Sequence, residues 1–187
     1  LLSAKGLGVG SEETQKGNLL SPQTAKVSSP YDGGDYMQAG HFVLSLTIAT
    51  YDWSVPTALY SFAVQWLPNA DALAIKAGWA KDDFHCSITH TFLFAFAVSG
   101  FVLIFSRRYA MITLANLILH MIVDLPSDIG QRLFWPFWKK KLTLALWKDT
   151  GFWGWDTIVG SYKQKWPWIL ESALLLFFIY RLVVIYS

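Results

Sequence analysis

Four histidines and two aspartates carry the chemistry open to this sequence. His41, His85, His90 and His120 are the whole histidine complement of the 187-residue chain. Each is expected at a helix end on one membrane face, as are Asp71 and Asp124. Neutral imidazole and carboxylate together suit a divalent metal, with Zn the first candidate and Mn, Fe or Ni as alternatives. Polar groups at membrane depth are costly unless paired, hydrated or coordinated, so six that converge call for a cation. For any one histidine alone, an ordinary hydrogen-bonded interfacial role is the simpler reading. The single Cys86 excludes an internal disulfide and a cysteine-built zinc cage. Any metal must be held by nitrogen and oxygen.

The elements that position these residues are membrane helices. Hydrophobic residues make up 53% of the chain, aromatics 17% and charged residues only 15%, with ten Trp; a soluble domain carries about 25% charged. A net charge of +2, with no stretch interleaving basic and aromatic side chains, argues against nucleic acid as a partner. Residues 1–36, rich in Gly, Ser, Lys and Pro and without a helical or strand period, read as a polar tail unable to bury a core. Another subunit of a membrane complex is the natural partner for it. Leu1 is not an initiator methionine, and Met37 is a candidate native start.

Residues 37–187 read as the membrane domain. The apolar segments 41–50 and 55–67 are each shorter than the roughly 20 residues a span requires, and form a short helical hairpin. Segments 91–105 and 109–125, joined by the charged turn Ser106, Arg107 and Arg108, are stronger spanning candidates. The clearest span is 166–186, with Trp166 and Trp168 placed for the headgroup level. Between the last two lies 126–165, which holds Lys139, Lys140, Lys141 and several Trp and reads as interfacial. The expected fold is all-α: an integral membrane helical bundle of five principal helices, with two antiparallel hairpins, an interfacial aromatic segment and a C-terminal transmembrane helix.

This arrangement brings the polar residues together. At about 1.5 Å per residue, His90 lies about 26 Å from the Arg107 turn along one helix and Asp124 about 25 Å along the other, so the two meet at one level. His120 is one turn deeper than Asp124, and the i,i+4 spacing puts both on one helix face. The first hairpin, folded about Asp52, begins at His41 and returns at Asn69 and Asp71. Because 72–89 links the hairpins on that side, all these residues share one membrane face. His85 and His90 are about 140° apart on a continuous helix, so His85 belongs in the loop before it, with Ser87 or Thr89 as N-cap.

At these residues the chain resembles the bacterial and archaeal inner-membrane family of membrane-bound metal-dependent hydrolases. That family carries Gly-His at its first helix, then Leu-Pro-Asp-x-Asp, His-Arg-x-x-Thr-His, and His-x-x-x-Asp-x-x-Thr-x-x-Gly followed by Trp-Pro. The matching stretches are Gly40-His41, Leu67-Pro68-Asn69-Ala70-Asp71, His85 through Thr89-His90, and His120 through Asp124, Ser127 and Gly130 to Trp135-Pro136. The match covers about residues 38–138. Asn69 stands where the family has its first Asp, Cys86 replaces Arg and Ser127 replaces Thr. An amide offers a neutral oxygen to a metal but cannot serve as an anionic bridge or general base.

The resemblance implies a hydrolase in which His41, Asp71, His85, His90, His120 and Asp124 bind metal and Asp71 or Asp124 also handles the water. The reading from the residues themselves keeps helix-end capping as an alternative for both carboxylates. A Cys86–His85 nucleophile is disfavoured because adjacent side chains rarely point at each other; a small residue in the site wall is expected instead. Glu171 and Arg181, inside the last helix, are expected to face the bundle or snorkel. Two functions follow: metal-assisted hydrolysis of an ester or phosphoester in a lipid or amphipathic substrate, or a non-catalytic subunit of a larger membrane complex. Lys and Arg concentrate on the site side, so the positive-inside tendency puts the site in the cytoplasm of a bacterial inner membrane, or on the matrix-like side of an organellar one.

Overall fold

A computed structural model describes residues 38–81, 84, 86–148 and 155–187. The polar tail 1–36 and His85 lie outside the described residues. In chain order come α1 (Gln38–Ala49), which runs into a 3-10 turn at Thr50–Asp52, α2 (Val55–Val64), α3 (Ala70–Lys76), α4 (Phe92–Leu103), α5 (Arg107–Asp124), α6 (Trp155–Tyr162) and α7 (Lys165–Tyr186). The regular elements among the described residues are all helices. Residues 125–148, after α5, are irregular, tied by isolated bridges pairing Ser127 with Trp147 and Gln131 with Leu142.

Hydroxyl side chains cap α2, α4 and α5. Ser54 accepts from Thr57 N–H at the head of α2, where Pro56 needs no donor, and Ser106 accepts from Tyr109 N–H at the head of α5. At α4 the cap is Thr91, which accepts from Phe94 N–H, rather than the expected Ser87 or Thr89. Those two hydroxyls are committed elsewhere: Ser87 donates to the Phe84 carbonyl and Thr89 to Asp71.

The helix α5 is the axis of the fold. It packs along α4 and against α1 and α2, while α7 packs on α1. One side of α5 joins Val64, Ala95, Leu117, Met121 and Leu133 in an apolar cluster; another joins Leu44, Ile48 and Ile112. A polar seam also runs along it. Tyr60 and Thr113 share a hydrogen bond of 2.6 Å, Asn116 Nδ2 donates to Ser61 Oγ at 2.8 Å, and Ser61 Oγ donates to the Ser45 carbonyl at 2.7 Å. At the far end Arg108 pairs with Asp52.

Among the described residues α7 alone is long and apolar enough to cross a membrane by length and composition. The middle two segments, expected as spans, carry α4 and α5, which fall short of that measure. The α4 helix has 12 residues, about 18 Å of rise, and the 18-residue α5 includes Arg107, Arg108, Asn116, His120 and Asp124. The two charged residues in the interior of α7 turn towards α1 and the 3-10 turn after it: Glu171 Oε1 accepts from Gly40 N–H at 2.9 Å, and Arg181 Nε donates to Thr50 Oγ1 at 3.1 Å. Tyr162 donates to Glu171 Oε2 at 2.7 Å; burial and the neighbouring carboxylate push its phenol up from the ordinary tyrosine range.

The packing yields a contrast between buried and outward leucines. Leu117→Ala is expected to lower stability by about 2 kcal/mol through lost contacts and the cavity left behind, whereas Leu175→Ala on the outward surface of α7 should change it by less than about 0.5 kcal/mol. Thermal unfolding of both variants in one detergent checks this; equal losses would contradict the packing.

Candidate metal centre

Four elements deliver the polar cluster. His120 and Asp124 come from the last turns of α5, one above the other. His41 comes from the first turns of α1, whose backbone is fixed one residue earlier by the Glu171–Gly40 bond. Asp71 lies in the first turn of α3, and His90 in the loop before α4. All five side chains are buried.

Asp124 is the hub. Its Oδ1 lies 3.0 Å from His41 Nε2, and its Oδ2 lies 3.1 Å from His120 Nε2 and 3.8 Å from His90 Nε2. The rings of His41 and His120 are 4.3 Å apart between centroids. His90 turns its other nitrogen to Asp71, with Nδ1 3.5 Å from Oδ2, and so links the two carboxylates. Asp71 Oδ2 also accepts from Cys86 N–H at 3.0 Å and from Thr89 Oγ1 at 2.9 Å. Cys86 reaches it from a positive-φ backbone, φ 55, so it acts on the site through its amide, and its buried side chain is free of disulfide. Asn69 is buried, with an Oδ1 that has no hydrogen-bond partner.

Two features make the cluster suit a cation. Asp124 is a buried carboxylate at the C-terminal end of α5, where the helix dipole is already negative, so compensating positive charge must come from outside the helix. Second, His120 Nδ1 lies 3.3 Å from Gln65 Oε1. With that oxygen accepting, Nδ1 carries the proton and Nε2 offers a lone pair. Nε2 is buried 3.1 Å from Asp124 Oδ2, a contact that a proton on Nε2 or, in the tautomer set by Gln65, a cation between the two atoms satisfies. Ligand atoms of His41, His120 and Asp124 all lie within 4.8 Å of one another, a His/His/Asp set that fits a divalent metal.

Of the six residues expected to bind metal, the structure brings five together: His41, His120 and Asp124 as the tight group, with His90 and Asp71 adjoining. His85 lies outside the described residues. Two participants escape motif reasoning, Gln65, which orients His120, and Asn116, which bonds Ser61; Thr89, part of the matched His85–His90 motif, holds Asp71 rather than capping α4. Asn116 had a signal in the i,i+4 series Asn116, His120, Asp124. Gln65, at the end of an apolar stretch, had none beyond its polarity.

Residues 37–187 match the family model described as YdjM inner membrane protein. The chain belongs to that inner membrane protein family, and the matched region includes every residue of the cluster. Neither a curated protein nor a solved structure matches the chain.

If Gln65 fixes the His120 ring, Gln65→Leu should weaken zinc binding about tenfold while leaving thermal stability within about 1 kcal/mol. Competition titration against a chromophoric chelator reads the affinity; an unchanged value would remove Gln65 from the site.

Proposed function

We propose that the chain is a membrane-embedded metal-dependent hydrolase acting on an ester or phosphoester of a lipid or other amphipathic substrate. The observation that carries this reading is the convergence of His41, His120 and Asp124 on one point. In the bilayer we read the helices as two antiparallel hairpins, α1 with α2 and α4 with α5, followed by the interfacial aromatic segment and the spanning α7. The cluster then sits near headgroup level, where a lipid ester or phosphoester is presented.

His41, His120 and Asp124 would hold the ion, with Asp71, His90 and His85 completing or bordering the set. Zinc suits two imidazoles and a carboxylate in a tetrahedral site, with Mn, Fe or Ni as alternatives. A bound metal would supply Lewis acidity that activates water near neutral pH and polarises the scissile oxygen. The chain's own residues supply the rest. Asp71 is held by Cys86 N–H and Thr89, so its carboxylate stays oriented to take a proton from water. His90 spans the two carboxylates and offers a path for that proton between Asp71 and Asp124. Gln65 keeps His120 in the tautomer that binds.

A second reading has its own observation. Asn69 presents a neutral amide where the resembling hydrolases carry a carboxylate, which favours a non-catalytic subunit that keeps the metal as a structural tie. Its partners would be membrane lipids and other subunits of a complex, engaged through residues 1–36.

Metal analysis and hydrolysis assays on lipid esters and phosphoesters separate the two. The parent should hold close to one equivalent of metal and turn over substrate, and the Asp124→Asn, His120→Ala variant should lose both. Metal without activity would select the structural subunit, and no metal under replete conditions would sink both readings of the cluster.

We further propose that the cluster faces the cytoplasm, because Lys139, Lys140 and Lys141 are exposed on its side and positive loops stay inside. An impermeant thiol reagent added from outside should label a cysteine at position 107 and spare one at 140; the reverse pattern would invert the topology.

A further inference from the structure

A groove of about 420 Å³ opens between α1 and α5 at the end of the bundle away from the His/Asp cluster, lined by Ile48, Tyr51, Arg108, Met111, Ala115 and Leu119 among others. Its α5 wall is formed by Arg108, Met111, Ile112, Ala115 and Leu119; Met111, Ala115 and Leu119 recur at i,i+4, and the exposed Arg107 is the next position up that row. From Arg107 to Leu119 the helix rises about 18 Å, slightly more than half the ~30 Å hydrocarbon layer. The groove therefore has the depth of one leaflet.

The mouth of the groove is built for the headgroup level. Tyr51 and Trp53 are exposed there, as aromatic residues at a membrane interface are. Arg108 lines the mouth and pairs with Asp52. Arg181 comes across from α7, with its guanidinium carbon 3.9 Å from the centroid of the Tyr51 ring. Arg108 lines the opening beside Asp52, Arg181 stacks on its Tyr51, and Arg107 stands exposed one turn above Met111. Apolar below and cationic at the top, the groove matches an acyl chain joined to an anion.

We propose that this groove binds one acyl chain of an anionic phospholipid, with the lipid phosphate at Arg107. The site is separate from the His/Asp cluster and does not depend on its chemistry. Arg107 supplies the preference for negative charge, and Ala115, the smallest lining residue on the stripe, leaves room for the chain.

Native mass spectrometry of the detergent-purified full chain, after addition of phosphatidylglycerol or phosphatidylcholine with identical acyl chains, tests the proposal. The parent should retain one phosphatidylglycerol in preference to phosphatidylcholine. Arg107→Gln, a surface change, should reduce that preference about fivefold without reducing retention of phosphatidylcholine. Ala115→Phe should fill the groove and abolish retention of both lipids, with the Arg107→Gln variant guarding against a folding defect. Equal retention of the two lipids by the parent, a preference unchanged in Arg107→Gln, or a lipid-free dimer that covers the groove would each overturn it.

Discussion

Asp124 sets the terms for the rest of the molecule. Its carboxylate is 3% exposed and stands at the C-terminal end of an 18-residue helix, where the backbone already presents uncompensated carbonyl charge. An ion so placed is tolerated only if partners of the opposite tendency reach it. Three imidazoles do, from α1, from the loop before α4 and from α5 itself. Each comes from a different part of the chain, so surrounding one carboxylate with these nitrogens requires three elements to meet. The site and the fold are one constraint seen from two sides.

The elements that carry these partners are themselves held by polar contacts. The N-terminus of α1 is tied to α7 by Glu171, one residue before His41, and the opposite end of α1 is tied by Arg181 through Thr50. Asp71 is fixed by the backbone N–H of Cys86 and the hydroxyl of Thr89. Neither device is a ligand. Both determine where a ligand side chain can point, and both draw on residues far from the cluster in sequence.

Much of this could be read from the sequence, and the division has physical causes. Each long apolar stretch contains a helix, because apolar runs of that length must bury their backbone groups within themselves. The grouping of His41, His90, His120, Asp71 and Asp124 followed from helix rise and loop connection alone. Contacts that depend on rotation about a helix axis were not accessible. Gln65 meets His120, and Thr91 rather than Thr89 caps α4, because of side-chain directions that no spacing rule specifies. The apolar segment 91–105 carries a helix from Phe92 to Leu103, shorter than the segment because Thr91 caps its start and the Ser106 turn follows its end.

Why a membrane protein should thread a polar seam along its central helix has an answer in the solvent. Lipid tails are as apolar as the helix surfaces, so burial against a neighbouring helix gains little over burial in lipid, and packing with interhelical hydrogen bonds must hold the bundle. Such bonds average only about 0.6 kcal/mol each, which makes them weak as adhesive. They are strong as register marks. Sliding α2 by one turn along α5 would separate Tyr60 from Thr113, Ser61 from Asn116 and Gln65 from His120 together, leaving several buried donors and acceptors unpaired. The seam thus fixes the height of α2, and through Ser61 and the Ser45 carbonyl that of α1, to within a residue. A centre that needs Nε2 of His41 and Nε2 of His120 on the same carboxylate requires that accuracy, since a one-residue slip of about 1.5 Å would already take one nitrogen out of reach.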